Sequence, residues 1–455
     1  MQNNHLDKQP KEPSAQVIES PSAQLKQNPS AQVIKSPLAE ELKLPCGVVI
    51  PNRLGKSAMT EGLADRHDNA TPELTQLYKT WSDGGTGLLL SGNIMVDHRY
   101  LERAGNIVLQ DDQAIDALKE MVSAGKSNGN QFWMQVSHPG RQCPRMVNSK
   151  PLAPSEVQLK ILGNFSKPRA MTEADIEDVI QRFVTTATLG KQAGFTGVQI
   201  HCAHGYLISQ FLSPLINQRT DQWGGSLENR ARLARRILIA VREAVGPEYP
   251  ISAKLNSADF QKGGFSLEEC IQVAQWLAED SLDLLEISGG NYEQLSLMGV
   301  EPTDVRESTR KREAYFIEYS KAIRSAAKIP IMLTGGFRSR AVMEQALQNN
   351  EVDLVGLARP YCTQTDLSNR LINQELAAVD DFEHKLVLGR GFWGNNSSWS
   401  VIKAINSFGQ VGFYYWQILC LSKNQPIDTS LKVFRSFVGH LSRDFKLNLK
   451  RKRLN

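Results

Sequence analysis

Eight short apolar runs, separated by longer stretches with helical periodicity, occupy the chain from about residue 46 to residue 360. The runs are RLGKSAM (53–59), GLLLSG (87–92), FWMQVS (132–137), GVQIHC (197–202), ISAKLN (251–256), LLEISG (284–289), IMLTGG (331–336) and LVGLAR (354–359). Between them lie helix-like stretches such as Thr172 to Ala193, Leu227 to Val245 and Ser266 to Asp280. Eight repeats of strand and helix predict a (β/α)8 TIM barrel of the α/β class rather than an open doubly wound sheet.

The ends of these runs are where we expect the functional residues. In a (β/α)8 barrel the chemistry takes place at the carboxyl ends of the strands. The residues at or near those ends are Ala58, Thr60, Gly92, Gln135, His138, His201, Lys254, Gly335, Gly336 and Arg359. This set is chemically richer than strand ends chosen at random.

Two histidines and a tyrosine follow the fourth run closely, in the sequence HCAHGY at 201–206. The imidazoles of His201 and His204 can donate two hydrogen bonds to one carbonyl oxygen and so stabilise an enolate. The phenol of Tyr206 is protonated at neutral pH and can supply a proton to the α-carbon. The pattern favours a conjugate reduction, provided that a hydride donor lies nearby. Each histidine alone could equally be a satisfied core residue, and no third ligand at helpful spacing supports a metal site.

Gln135 and Lys254, on two other runs, have the chemistry to hold a redox-active ring. An amide can donate to a ring carbonyl and accept from a neighbouring ring nitrogen. A lysine charge stabilises a ring that becomes anionic on reduction. Thr60 could hydrogen-bond a carbonyl of the same ring. The alternatives are that Gln135 and Lys254 are paired within the barrel core and that Thr60 caps a turn.

The last two runs end in a pattern typical of phosphate binding. Gly335 and Gly336 close the seventh run, and Arg359 closes the eighth. Glycines let backbone N–H groups approach a phosphate, a following helix favours the negative charge, and an arginine adds a bidentate contact. Two tight turns and a surface arginine are the alternative. A phosphate site alone does not separate a flavin enzyme from a sugar-phosphate aldolase.

Together these segments resemble the old yellow enzyme family of FMN-dependent NAD(P)H:flavin oxidoreductases and ene-reductases, from about residue 38 to 370. The stretch HCAHGYLISQFLSPLINQRTDQWGGSLENR is highly specific, whereas KSAMTEG, QVSHPGR, KLNSADF and GLARP match more loosely. The resemblance implies FMN as cofactor and NAD(P)H as co-substrate, which visits the flavin face directly in a ping-pong cycle.

The resemblance also implies a role for each site residue. It implies that the flavin ring is lined by Ala58, Met59, Thr60, Gly92 and Gln135, with Lys254 near its N1–C2 edge. It implies that the phosphate is held by Gly335, Gly336 and Arg359. His201 and His204 then bind the substrate carbonyl, and Tyr206 is the proton donor. Some branches have cysteine where Thr60 stands and many have arginine where Lys254 stands, so redox behaviour does not carry over.

Two flanking regions complete the predicted domain organisation. The repeats PSAQVIES, PSAQLKQN and PSAQVIKS, with a decayed copy PLAEELKL, span residues 13–44. A proline every eight residues blocks a continuous helix, and each unit has too few apolar side chains for a core. We expect a disordered leader at 1–37, the FMN-binding barrel at 38–370, and a helical extension packed on the barrel at 371–455. A leader that docks on the barrel or on a partner is the alternative.

Composition narrows the class of protein. The chain has 52 basic and 48 acidic residues and a net charge of +4, and the basic run at 450–453 is interpreted as a solvated tail. Six cysteines without a CxxC pair indicate neither a metal site nor a disulfide framework.

The segment 389–394 fits GxGxxG, but its bulky Phe392 and Trp393 disfavour a dinucleotide site. No signal peptide or membrane span is evident.

The sequence therefore predicts a cytoplasmic flavoprotein enzyme that acts on a small molecule, without nucleic-acid or membrane partners, and it leaves room for a homo-oligomer. The expected reaction passes hydride from NAD(P)H through FMN to an activated alkene. Three rivals stay open at this point. They are an oxidative demethylase or dehydrogenase, a flavin-binding protein without turnover, and a non-redox barrel such as an aldolase.

Overall fold

The computed structural model of the protein describes residues 35–161, 163–288, 316–395 and 397–452. Within these residues, eight parallel strands form a closed barrel. The strands are β1 (Leu54–Lys56), β2 (Leu88–Met95), β3 (Gln131–Ser137), β4 (Gly197–Cys202), β5 (Ile251–Asn256), β6 (Leu284–Ser288), β7 (Ile331–Thr334) and β8 (Leu354–Leu357). Each strand pairs with the next in the chain, and β8 pairs back to β1. The predicted (β/α)8 barrel is confirmed, and each of the eight apolar runs overlaps one of its strands.

Helices follow the strands and cover the outside of the barrel. They are α1 (Pro72–Asp83), α2 (Ile115–Gly125), α3 (Glu173–Ala193), α4 (Leu207–Leu212), α5 (Leu227–Val245), α6 (Leu267–Glu279), α7 (Ile317–Ala327), α8 (Arg340–Gln348), α9 (Leu367–Ile372), α10 (Ser400–Ser422) and α11 (Val433–Lys452). Side-chain caps explain two of the starts, because Thr172 with Asp175 and Ser266 with Glu269 each form a capping box.

The amino end of the barrel is closed by a short hairpin that the sequence patterns did not reveal. Its strands are Leu42–Lys43 and Val49–Ile50, paired antiparallel. Hairpin side chains pack with the first residues of the barrel strands in a buried apolar cluster. The cluster comprises Leu42, Leu44, Ile50, Leu88, Leu90, Trp133, Leu284, Met332 and Leu354. This end of the barrel is therefore closed by a packed apolar core.

A turn at Pro37–Ala39 precedes the hairpin. Ser36 donates a hydrogen bond from Oγ to Glu344 Oε1 at 2.6 Å, and Leu38 is fully buried. Ser36 and Pro37, which fall inside the predicted leader, thus belong to an ordered turn. The rest of the octapeptide leader, residues 1–34, lies outside the described residues.

The two C-terminal helices, α10 and α11, pack closely on each other. A side chain at Gly412 would place its Cβ only 2.4 Å from the Ser436 carbonyl oxygen, so glycine permits the contact. Farther along, the ring of Tyr415 stacks on that of His440 with centroids 5.1 Å apart. The GxGxxG segment before α10 forms only a 3-10 turn at Gly391–Trp393, and the described residues 358–390 that lead to it contain no strand.

The helix α11 also contacts loops at the carboxyl end of the barrel. Arg443 donates to the Gly62 carbonyl oxygen at 2.6 Å, and Arg451 pairs with Asp68 at 3.1 Å. Arg103, in the loop after β2, pairs with Asp444. The C-terminal helices are therefore attached to the end of the barrel at which the predicted site lies.

Three global features bear on function. Among the described residues no helix is both long and apolar enough to span a bilayer. The same part of the chain contains no cluster of three histidine, cysteine or acidic residues that could hold a metal ion. All six cysteines are free thiols.

Candidate functional site

A layer of polar side chains fills the barrel interior above the apolar cluster. Strand register aligns Gln135 with Gln199, His201 with Lys254, and Lys254 with Glu286. Gln135 donates from Nε2 to Gln199 Oε1 at 2.6 Å, and Gln199 donates from Nε2 to Glu286 Oε2 at 2.9 Å. The structure thus joins the predicted Gln135 and Lys254 through two residues, Gln199 and Glu286, that the sequence analysis missed. A polar residue inside each of the apolar runs GVQI and LLEIS was the available signal.

Lys254 is not an isolated charge. Its Nζ lies 3.0 Å from Glu286 Oε1, and both side chains are buried. Glu286 also accepts a hydrogen bond from Thr334 Oγ1 at 2.6 Å. The two charges of a buried ion pair largely cancel at a distance. Lys254 therefore stabilises the negative charge of a ring bound nearby less than an unpaired lysine does.

The predicted catalytic residues lie next to one another at the end of β4. The ring centroids of His201 and His204 are 5.2 Å apart, and those of His201 and Tyr206 are 4.8 Å apart, both edge to face. His204 has a positive φ of 59°, and its backbone N–H donates to Asn256 Oδ1 at 3.1 Å. This left-handed turn places the second imidazole beside the first. The sequence spacing alone could not show it.

Both imidazoles are neutral in the folded protein. Burial, with smaller effects from His204 and Lys254, lowers the pKa of His201 well below 6.5. Burial and then the charge of Lys254 do the same to the pKa of His204. Strand register also aligns His201 with Lys254 on the neighbouring strand β5.

The hydrogen bonds of the two rings determine which nitrogens can donate to a ligand. His201 Nδ1 accepts from the Ala203 N–H at 3.2 Å, so the proton of the neutral ring is on Nε2. His204 Nε2 lies 3.0 Å from Ser288 Oγ. If Ser288 donates this bond, the His204 proton is on Nδ1. The pair can then present Nε2–H and Nδ1–H to one acceptor.

The residues after β1 form one side of the predicted ring site. Thr60 donates from Oγ1 to Glu102 Oε2 at 2.6 Å, while Ala58 packs against the apolar cluster of the amino end. Gly92 donates its N–H to Glu61 at 2.9 Å, and a Cβ there would lie 2.6 Å from the Met59 carbonyl oxygen. Gly92 therefore lies too close to the 59–61 segment for a side chain to fit. Its assignment to the flavin ring stays a prediction.

The predicted phosphate site lies at the ends of β7 and β8. Gly335 and Gly336 have φ values of 135° and 80°, which favour glycine, and α8 begins a few residues later. Arg359 pairs at 2.9 Å with Glu383, which also accepts from Arg338 at 3.2 Å. Glu383 is in an irregular segment and no sequence pattern identified it. Burial raises its pKa, but Arg359, Asp381 and Arg338 outweigh burial and lower the pKa to about 2.

These residues fit FMN. Two positive-φ glycines before a helix and two arginines suit a phosphate dianion. An amide on β3 and a lysine on β5, the strands on either side of β4, suit the polar edge of an isoalloxazine ring. His138, also a candidate, accepts a hydrogen bond at Nδ1 from the Gly140 N–H at 3.1 Å, which orders the loop after β3.

A closed barrel with a polar interior at its carboxyl end and a glycine–arginine loop after β7 and β8 defines the class of cofactor-binding TIM-barrel enzymes. The chain belongs to the NADH:flavin oxidoreductase / NADH oxidase family, whose sequence profile matches residues 43–377. The predicted old yellow enzyme family, with FMN as cofactor and NAD(P)H as co-substrate, is thereby confirmed. The protein is a flavin-dependent oxidoreductase.

Two relatives illustrate the similarity. The NADH-dependent flavin oxidoreductase nadA of Aspergillus parasiticus is 36% identical over 343 residues, which cover 72% of this chain and 76% of that protein. The NADH oxidase of Thermoanaerobacter brockii is 34% identical over 315 residues, which cover 69% of this chain and 47% of the oxidase.

Solved structures agree with the fold. A 2-naphthoyl-CoA reductase aligns with a TM-score of 0.70 at 26% identity, covering 75% of this chain and 53% of the reductase. This chain thus spans about half the length of that enzyme. A histamine dehydrogenase from Rhizobium aligns with a TM-score of 0.65 at 26% identity, covering 74% of this chain and 48% of that one. Morphinone reductase, at 23% identity and a TM-score of 0.64 over 76% of this chain and 91% of the reductase, shows the shared fold alone.

Proposed function

We propose that the protein uses NAD(P)H to reduce the C=C bond of an alkene conjugated to a carbonyl or a similar electron-withdrawing group. The observation that carries this proposal is a pair of adjacent imidazoles, His201 buried and His204 half-buried, with a phenol against the first of them. FMN, when bound, supplies the chemistry that accepts a hydride from NAD(P)H and delivers it to the alkene. The chain supplies the rest of the reaction.

The two histidines bind and polarise the acceptor. His201 Nε2–H and His204 Nδ1–H donate to the substrate oxygen, which gains negative charge as hydride reaches the β-carbon. Donors held in place before the reaction stabilise that charge more effectively than water does. Neutral imidazoles also avoid the cost of a buried charge in the absence of substrate.

Tyr206 supplies the second hydrogen as a proton. It packs edge to face on His201 and is buried. Its phenol O–H donates a proton to the α-carbon of the enolate held by the histidines, and solvent returns that proton later. The hydride and this proton together account for the two hydrogens added across the double bond.

FMN itself is held by residues from the other strands. We propose that Ala58, Met59, Thr60, Gly92 and Gln135 line its ring. Lys254, paired with Glu286, is placed near the N1–C2 edge. Gly335, Gly336 and Arg359 hold the phosphate, with Arg338 as a further cation at this end. The predicted cytoplasmic location is part of the same proposal, which leaves room for a homo-oligomer.

A reaction in the oxidative direction is the second candidate. One structural relative, 26% identical, is a histamine dehydrogenase. In that case an amine would reduce the enzyme and a different acceptor would reoxidise it. The two directions differ in which partner bleaches the yellow protein.

Stopped-flow spectroscopy of the FMN-loaded protein tests the proposal. We expect NADH or NADPH to bleach the flavin and cyclohexenone to restore its colour. His201→Ala and His204→Ala should slow reoxidation by roughly 10²–10³-fold, because each removes a donor to the developing oxyanion, while reduction by NAD(P)H persists. Bleaching by amines but not by NAD(P)H would favour the dehydrogenase. A flavin that neither partner reduces would indicate a binding protein, and normal enone turnover by both variants would contradict the roles of the histidines.

A further inference from the structure

A cavity of about 160 Å³ lies between the barrel rim and helix α10. The barrel contributes Met59 and Thr60, from the end of β1, and Arg359, from the end of β8. Helix α10 contributes Val411, Tyr414 and Ile418 among others. The cavity therefore joins residues of the predicted flavin site to a helix that lies beyond the matched family region, 43–377.

The position of the cavity relates it to one end of the flavin ring. Gln135 and Lys254, on β3 and β5, are assigned to the polar pyrimidine edge. The strands β1 and β8 lie on the other side of the closed ring of strands from β5. A planar ring held by its polar edge at Gln135 and Lys254 would extend toward β1 and β8. Its opposite edge, the dimethylbenzene end, would then point at the cavity.

The chemistry of the walls suits that edge. Met59, Val411 and Ile418 are apolar, and the Tyr414 ring adds a flat surface. Transfer of the two flavin methyl groups from water into such apolar surroundings is favourable in free energy. The polar lining residues Thr60, Arg359 and Gln410 already bond to Glu102, Glu383 and the Leu386 carbonyl oxygen.

The helix is also fixed in place at this position. The Arg359 guanidinium lies 5.9 Å from the Tyr414 ring centroid, and Arg359 pairs with Glu383 at 2.9 Å. Arg103, in the loop after β2, lies 4.1 Å from the Tyr415 ring centroid. Barrel and helix are thus connected on two sides of the cavity, and the wall is preorganised.

We propose that α10 forms the wall of the flavin pocket against the dimethylbenzene edge of FMN. The C-terminal segment is then part of the cofactor site, and Val411 determines how much bulk that edge can carry. This inference rests on the proposed assignment of Gln135 and Lys254 to the pyrimidine edge.

The test compares two flavins and two variants by fluorescence titration of the full-length flavin-free protein. Val411→Phe fills the cavity. It should raise the Kd for FMN by roughly tenfold or more, because overpacking a filled site is unfavourable. FMN lacking its 7- and 8-methyl groups needs less room. Its Kd should rise by only about threefold or less in the same variant.

Val401→Phe is the matched control, because Val401 is on the same helix and is exposed. It should leave both Kd values unchanged. If Val411→Phe does not fold, as judged by circular dichroism, Val411→Leu should show the same selectivity between the two flavins with a smaller change.

The outcomes separate this inference from the proposed function. Equal weakening of both flavins by Val411→Phe, or no weakening of either, would overturn the inference while leaving enone reduction by the wild type intact. Wild-type protein that binds neither flavin would overturn both. Selective weakening of FMN supports the wall on α10.

Discussion

The two ends of the barrel interior are built from the same strands but have opposite chemistry. On β3, Trp133 faces the apolar cluster while Gln135, two residues later, belongs to the polar layer. On β6, Leu284 and Glu286 show the same change. All four side chains are almost completely buried. The polar groups are paired, but a buried ion pair adds little stability over an apolar pair of similar volume, so the polar layer is best explained by function and the apolar layer by stability.

The prediction with the largest expected effect concerns the buried ion pair in the polar layer, from which one partner is removed. Glu286→Leu leaves Lys254 buried without its carboxylate, and we expect the flavin-free protein to lose about 3–5 kcal/mol of unfolding free energy. The double variant Lys254→Met/Glu286→Leu should recover most of that loss, because an apolar pair of similar volume can replace a buried ion pair. Urea unfolding measures both. A double variant as unstable as the single one would mean that the pair itself stabilises the fold.

The matching test at the amino end is Leu284→Ala, two residues away on the same strand. Truncating this fully buried leucine should cost about 2–5 kcal/mol of unfolding free energy. The Kd for FMN should stay within about twofold of the wild type, since distant sites act independently. Val49→Ala, at an exposed position of the hairpin, is the control and should change stability by less than about 0.5 kcal/mol. A large loss of FMN affinity in Leu284→Ala would show that the two ends are not separate.

Acid should weaken the polar end through its buried histidines. Burial lowers the pKa of His138 to about 4, against about 6.5 in an unfolded chain. Between these values the unfolded chain binds more protons than the folded one, so stability is complete above about pH 6.5 and falls as the pH drops toward 4. The loss from this residue alone is about 1–3 kcal/mol.

His138→Gln isolates that contribution. At pH 5 the variant should take up about one proton fewer than the wild type on unfolding, as read from the pH dependence of urea unfolding. His98→Gln, at an exposed position, is the control for losing a histidine. The same proton uptake in His138→Gln as in the wild type would contradict the assignment of a buried neutral ring.

The smallest expected effect comes from the residue that sets the His204 tautomer. Ser288→Ala removes the hydroxyl 3.0 Å from His204 Nε2. Reoxidation of the flavin by cyclohexenone should slow roughly threefold to tenfold, the loss expected for one hydrogen bond. Reduction by NAD(P)H should not change. Ser325→Ala, on the exposed face of α7, is the control. Slower reduction in Ser288→Ala would place this serine at the flavin rather than at the acceptor.

Periodicity explains how much of the fold could be predicted. The helices α3, α5 and α6 are long and regular, and the structure has them within a residue or so of the predicted bounds. The eight strands each overlap a predicted apolar run. The hairpin at Leu42–Lys43 and Val49–Ile50 was not predicted, because strands of two residues are too short to show a hydrophobic periodicity. Its role depends on apolar partners that are far away in the chain.

The site was less predictable, because the sequence of one strand does not show which residues of the neighbouring strand lie beside it. Lys254 could be selected as a strand-end charge, but its partner Glu286 follows only from the register of β5 and β6. Glu383 is 24 positions after Arg359 in an irregular segment, so no spacing rule connects them. The left-handed backbone conformation of His204 likewise could not be predicted from the spacing of the residues.

A crystal structure of the FMN-loaded protein with cyclohexanone, the saturated product of the proposed test reaction, would examine the central claim most directly. The account predicts that the ketone oxygen lies about 2.7–3.2 Å from both His201 Nε2 and His204 Nδ1. The Tyr206 hydroxyl should lie beside the α-carbon. A ketone bound through other groups, with the two imidazoles turned away from the flavin, would contradict it.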